Sequence, residues 1–200
     1  MTLTAKRYTF EEYLRYDDGT DRRFELVNGE LIEMSLGTGI HGAIIKFLEK
    51  AFDAEIERTG RDWTALQASV GIRSPRAGRW DTCRIPDVTV MNQEQWQALS
   101  AREAVIELNN PRPFLVVEVV SESTKTTDYR AKRSEYAVLD IAEYWIVDPI
   151  DQLITVCQLI EGLYEAEAFR GSDCVASIVF PELGLTADEI LRGRRSRSNF

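Results

Sequence analysis

The chain has 200 residues, 44% of them hydrophobic, which is enough to bury one substantial core. A formal net charge of −9 at pH 7 and a pI near 4.8 exclude a generally basic nucleic-acid binder and leave room only for a local basic patch. Apolar runs are strand-sized, far short of the roughly 20 residues of a membrane span, and the N-terminus lacks a hydrophobic signal core, so a cytoplasmic protein with no membrane association is expected.

Taken in chain order, Thr9 and Glu12 form a capping-box pattern that opens a short helix through Tyr13 and Leu14. Phe24–Val27, Asn28-Gly29 and Glu30–Glu33 read as two strands joined by a type I′ turn. From His41 to Thr59 the apolar residues follow helical spacing, and Gly60 is placed to end the helix. Leu66, Ala68, Val70 and Ile72 alternate with polar or small residues, which predicts one strand. Ser74 to Arg84, with proline, glycine and several arginines, reads as a loop.

A strand is predicted over Arg84–Met91, then a short helix capped by Asn92, then a strand over Phe114–Ser121. A helix starting at Thr126 or Asp128 follows, with Tyr129, Lys132, Arg133, Tyr136 and Ala137 toward one side. Glu143–Asp148, Leu153–Leu159, Leu163–Phe169 and Cys174–Phe180 read as strands, and Thr186 with Glu189 caps a closing helix. The order defines an α/β fold in which a central mixed β-sheet is flanked by helices, with an N-terminal hairpin and extra C-terminal strands. Residues 1–191 are expected to form one domain, and 192–200 a basic, flexible tail carrying Arg192, Arg194, Arg195 and Arg197.

Asp87 and Glu118 stand out because each lies in a run of strand formers, where carboxylates are disfavoured and costly to bury unless paired or bound to a cation. If the two strands are neighbours the acids converge, and a cation between them is expected; the alternative is that each meets an arginine near a strand end. Three cysteines without C-x-x-C spacing fit reduced thiols, and a single histidine argues against zinc. His41 stands at a helix start, where the macrodipole disfavours a positive charge, so a neutral ring in a structural hydrogen bond is expected. Gln67 projects to the polar face of its strand and is a weaker candidate for the same cleft. Basic residues cluster around Arg73, Arg76, Arg79 and Arg84, and again at Lys125, Arg130, Lys132 and Arg133.

Pro86-Asp87, Glu118-Val-Val120 and a helical lysine, set on this order, resemble the restriction-endonuclease-like superfamily named for its proline-aspartate and acidic-x-lysine motif. More closely, Tyr8–Leu14, Phe24–Glu30, His41, Ile85–Val88, Val117–Ser121, Asp128-x-x-x-Lys132-x-x-x-Tyr136 and Glu143–Asp148 resemble the Uma-two family of restriction-endonuclease-like proteins. The resemblance implies a divalent-metal-dependent endonuclease acting on DNA, with Asp87, Glu118 and the backbone carbonyl of Val119 holding Mg²⁺ or Mn²⁺ and no organic cofactor. It also suggests Glu25 as a third carboxylate near the metal. One departure is that the superfamily's usual lysine position is Val120 here, which moves the catalytic assignment to Lys132, with Lys125 as substitute. Lys132 has another reading, as an i,i+4 partner of Asp128 on a helix surface. A catalytically degenerate fold serving as a binding or regulatory module is the alternative function. A nuclease cutting both strands of a duplex is most simply a two-fold homodimer, for which the hairpin Phe24–Glu33 offers a self-complementary surface.

Overall fold

The computed structural model of the protein describes residues 6–76 and 80–195, with the side chains of residues 75, 76 and 80 left aside. Arg79 and Arg197 of the basic clusters lie outside the described residues.

The N-terminal part forms as its local signals dictate. Thr9 accepts the Glu12 N–H and Glu12 returns a carboxylate to the Thr9 N–H, so α1 (Phe10–Leu14) has both halves of its capping box. In the hairpin β1 (Phe24–Val27) and β2 (Glu30–Glu33), Asn28 and Gly29 take φ of 50° and 80°, the left-handed pair that a type I′ turn requires. Helix α2 (Gly39–Thr59) starts on the Thr38 side chain and stops at Gly60, whose φ of 64° turns the chain out of the helix.

The next stretch departs from the expected single strand. β3 (Trp63–Gln67) ends at Ala68, which sits at φ 38°, and the chain then enters a different sheet as β4 (Gly71–Arg76). Alternation of apolar residues continues across the break, which is why it read as one strand. The expected loop from Ser74 to Arg84 is instead the arm of a hairpin, with β5 (Trp80–Arg84) antiparallel to β4. Nor is Arg84–Met91 one strand: Arg84 ends β5, Ile85 to Asp87 form a connector, and β6 (Val88–Asn92) begins in the other sheet. Pro86 has no N–H to give a ladder, which ends pairing there.

Short α3 (Gln93–Ala98) and β7 (Val105–Ile106) precede β8 (Leu115–Val119), buried along its whole length. A π-helical turn over Thr127–Lys132 runs directly into α4 (Arg133–Val138). β9 (Glu143–Asp148), β10 (Leu153–Ile160), β11 (Leu163–Phe169) and α5 (Ala187–Leu191), the last with its own Thr186/Glu189 capping box, complete the fold.

Two mixed sheets result. The smaller has the order β2-β1-β5-β4-β7, and the larger β11-β10-β9-β8-β6-β3, with β8 and β9 its parallel pair. One face of the larger sheet packs Val88, Val90, Val117, Trp145 and Val147 against Ile44, Leu48 and Phe52 of α2. The opposite face packs Val116, Val120, Tyr144 and Ile146 against Tyr136 of α4 and Ile72 and Ile106 of the smaller sheet. β8 therefore runs through the middle, with Glu118 on the α4 side.

The segment Cys174–Phe180 is not a strand, and only Cys174 bridges, to Thr186. The Val175 N–H donates to the Leu185 carbonyl, and the N–H groups of Ile178 and Val179 go to a side chain instead of a neighbouring strand. Buried Glu143 accepts from Ile178 N–H at 2.6 Å, Val179 N–H at 3.3 Å, Ser177 Oγ at 2.7 Å and Trp145 Nε1 at 2.5 Å. Removing such an acceptor strands several buried donors, each costing about 1–3 kcal/mol. Glu143→Ala should therefore lower stability by about 3 kcal/mol or more in urea unfolding; a loss under about 0.5 kcal/mol, the surface range, would contradict the clamp.

Candidate active site

The site grows from a mismatch in strand length. In the register Val88↔Val117, the residue that would face Val119 is Pro86, already outside β6. Buried backbone groups must still be paired. The Val119 N–H donates to Asp87 Oδ2 at 2.7 Å, so the carboxylate extends the ladder where the neighbouring backbone has left it. The Val119 carbonyl lies 3.0 Å from Nε2 of His41, in the first turn of α2, and the same ring nitrogen is 3.5 Å from Asp87 Oδ2. A side chain at Gly37 would strike this ring, since a Cβ built there falls 2.5 Å from His41 Nδ1. The Asp87 carboxylate raises the His41 pKa, with burial opposing, a direction opposite to that of the helix end.

Glu118 points to the opposite face. It is 3% exposed, receives the Tyr136 hydroxyl at 2.7 Å on Oε1, and pairs through Oε2 with Lys132 Nζ at 2.7 Å. Burial pushes its carboxyl up to about 8; Lys132 opposes, while Asp87, Asp128 and Glu25 add to the rise. Lys132, 5% exposed, is held protonated by Glu118, Glu25 and Asp128 against the effect of burial. Its pairing with Asp128, at 3.0 Å, is real but buried, not a helix-surface pair.

Asp128 is the residue whose weight the sequence understated. It is buried, with Lys132 Nζ 3.0 Å from Oδ1 and Thr124 as its other side-chain partner. Its backbone carbonyl, in the π-helical turn, accepts the Tyr144 hydroxyl at 3.1 Å. The i,i+4 spacing to Lys132 was visible, but nothing in the spacing distinguishes a buried acid from a solvated one.

Glu25 lies in β1 of the smaller sheet and accepts Arg84 Nη1 at 3.0 Å and the Ile85 N–H at 2.9 Å. Arg84 also donates Nε and Nη2 to Glu135, at 2.8 and 3.2 Å. Gln67 turns to Glu49 of α2, and Lys125 pairs with Asp148 at 3.3 Å and Asp151 at 2.7 Å. The basic clusters are largely committed: Arg73 pairs with Asp81, Arg84 is buried, Arg133 donates to the Tyr164 carbonyl, Arg192 pairs with Asp188, and Arg195 lies 4.0 Å from Glu189. Among the described residues no three His, Cys, Asp or Glu side chains form a ready-made metal cage. The donor set is nonetheless suited to a hard cation, with Glu118 and Asp128 on Lys132, and Asp87 and the Val119 carbonyl on His41.

A family model described as "Uma2: Putative restriction endonuclease" matches residues 10–188. The crystal structure of "a putative nuclease belonging to DUF820 from Anabaena variabilis" matches with a TM-score of 0.73 at 18% identity, covering 92% of this chain and 98% of that one. At that identity the likeness is one of fold. No curated protein matches. Because the chain has one histidine, its imidazole can be followed alone by NMR. His41 should titrate above the ordinary imidazole value of about 6.5, and in Asp87→Asn it should move down, as the raising carboxylate is removed while burial remains. An unmoved titration would separate the two side chains.

Proposed function

The chain belongs to the Uma2 family, and from that premise we propose that it is a divalent-metal-dependent endonuclease hydrolysing phosphodiester bonds of DNA. The observation that carries the reading is Glu118, a buried carboxyl raised to about 8, sharing the single ammonium of Lys132 with Asp128 while Asp87 adds a further negative charge nearby. Such a surplus of buried carboxylate calls for a further cation.

Asp87, Glu118 and the Val119 carbonyl would hold Mg²⁺ or Mn²⁺, with Asp128 as the additional oxygen donor. When bound, such an ion polarises the phosphate and makes its water more acidic. Lys132 supplies a fixed positive charge beside Glu118 for the charge that develops on the phosphate, in place of the strand lysine replaced by Val120. Tyr136 holds the second oxygen of Glu118 and so fixes the carboxylate plane. His41 orients the Val119 carbonyl and, when protonated, offsets the charge of Asp87. Glu25 acts on the same centre electrostatically, raising Lys132 and Glu118. A homodimer would present two such sites to the two strands of a duplex, and β2, the outer strand of the smaller sheet, is its candidate surface. The second reading, a degenerate fold that binds without cutting, draws on the buried Val120 at the usual lysine position. Plasmid cleavage with Asp87→Asn as the contamination control separates the two.

Asp87→Asn and Glu118→Gln should each weaken Mn²⁺ binding at least about tenfold in calorimetry and abolish cleavage. Lys132→Met should keep or strengthen Mn²⁺ binding while cleavage falls by about a hundredfold or more. Below pH of about 8 the ion must displace a proton from Glu118, so Mn²⁺ affinity should rise with pH up to that value and then level off. Affinity that is independent of pH and unchanged in both acid variants would remove the metal site.

A further inference from the structure

We propose that Arg84, clasped by Glu25 and Glu135, is the positioning element that sets Asp87 against the helix carrying Lys132. Arg84 is 3% exposed and closes β5 of the smaller sheet. Its Nε and Nη2 fork onto the two oxygens of Glu135 at 2.8 and 3.2 Å, and Nη1 reaches Glu25 at 3.0 Å. Glu25 spends its other oxygen on the Ile85 N–H, so it holds the arginine and the next peptide together. Only Ile85 and Pro86 then separate the clasp from Asp87, and the fixed φ of proline leaves this link little freedom. At the other end, Glu135 follows Lys132 by one helical turn and immediately precedes Tyr136, the two groups that grip Glu118.

The clasp thus joins the two halves of the site, which arrive on elements of different sheets and layers. Net stability is a poor account of it, because a buried ion-pair network roughly offsets its own desolvation and an apolar replacement would do as well. What a planar guanidinium fork adds is direction, since it donates to its carboxylates in fixed planes. Glu25 is on this reading a positioning residue, acting through the connector and not by touching substrate or ion.

The test reads Asp87 directly, through amide exchange at Val119, whose N–H is bonded to that carboxylate. In Glu135→Gln, nearly isosteric and still able to accept one bond, Val119 should exchange at least about tenfold faster, the effect of losing about 1.4 kcal/mol of local protection. Val117 and Val90, in the same sheet, should keep their rates. Arg84→Lys, which cannot fork, should behave alike, and serves if the glutamine variant does not fold. Unchanged Val119 exchange in a folded variant overturns the proposal, as does uniform acceleration along β8, which would mark a purely structural role. Under the nuclease reading the same variants should lose kcat on duplex DNA about tenfold with KM within about twofold, the pattern of a misplaced group and not of lost binding. If the wild-type chain cleaves no DNA, that reading fails, and exchange alone decides the clasp.

Discussion

Val119 is a buried residue whose neighbour on the β6 side has already stopped, and most of the site follows from that. A peptide N–H and C=O facing an empty ladder position cannot be left unsatisfied. The chain answers with the carboxylate of Asp87 on the N–H and the ring of His41 on the carbonyl. Because Pro86 ends pairing at that point, an acid is obliged to stand beside the sheet edge, and α2 must begin close enough for its first turn to reach in. Packing of α2 on the larger sheet and the placing of the acid are one constraint.

On the other face the problem is charge. Glu118 and Asp128 are buried between the sheet and the helical layer, with Lys132 as the ammonium shared between them. Two phenols complete the arrangement, Tyr136 on the Glu118 carboxylate and Tyr144 on the Asp128 peptide. Arrangements of this kind are costly to assemble and are specified by many partners at once. A single ammonium is a modest counter-charge for them, and the resulting upward pressure on Glu118 is the electrostatic signature of the centre.

Local signals were the legible part of this fold. Capping boxes at Thr9 and Thr186, the Asn28-Gly29 turn and the Gly60 stop each act within a few residues, and each stands where it was read. The breaks at Ala68 and Pro86 were not legible as sheet changes, because alternation of apolar residues reports burial and does not say which sheet receives it. Cys174–Phe180 misled for a related reason: its pattern is that of a buried extended segment, and its partner is the Glu143 side chain. Within the site, Asp87 and Glu118 were visible as charges in apolar surroundings, and Lys132 through the resemblance to the family. Arg84 and Glu135 were not, since a charge in a polar stretch carries no mark of the distant acid or base that buries it.

The π-helical turn adds a last constraint, on chain length. Such a turn is an α-helix carrying a surplus residue, and one residue corresponds to about 100° of rotation about the axis. Lys132 stands where that turn meets α4, whereas Asp128 precedes it by most of the turn. Deleting one residue between them would restore a regular helix and bring the pair to i,i+3 spacing, still on one face, but would remove the widened turn whose Asp128 carbonyl meets the Tyr144 hydroxyl. The segment would gain helical regularity and lose that backbone contact. Substitutions here alter a side chain, but a shortened chain alters the backbone path itself, so the number of residues between Thr127 and Lys132 is a constraint of its own on this scaffold.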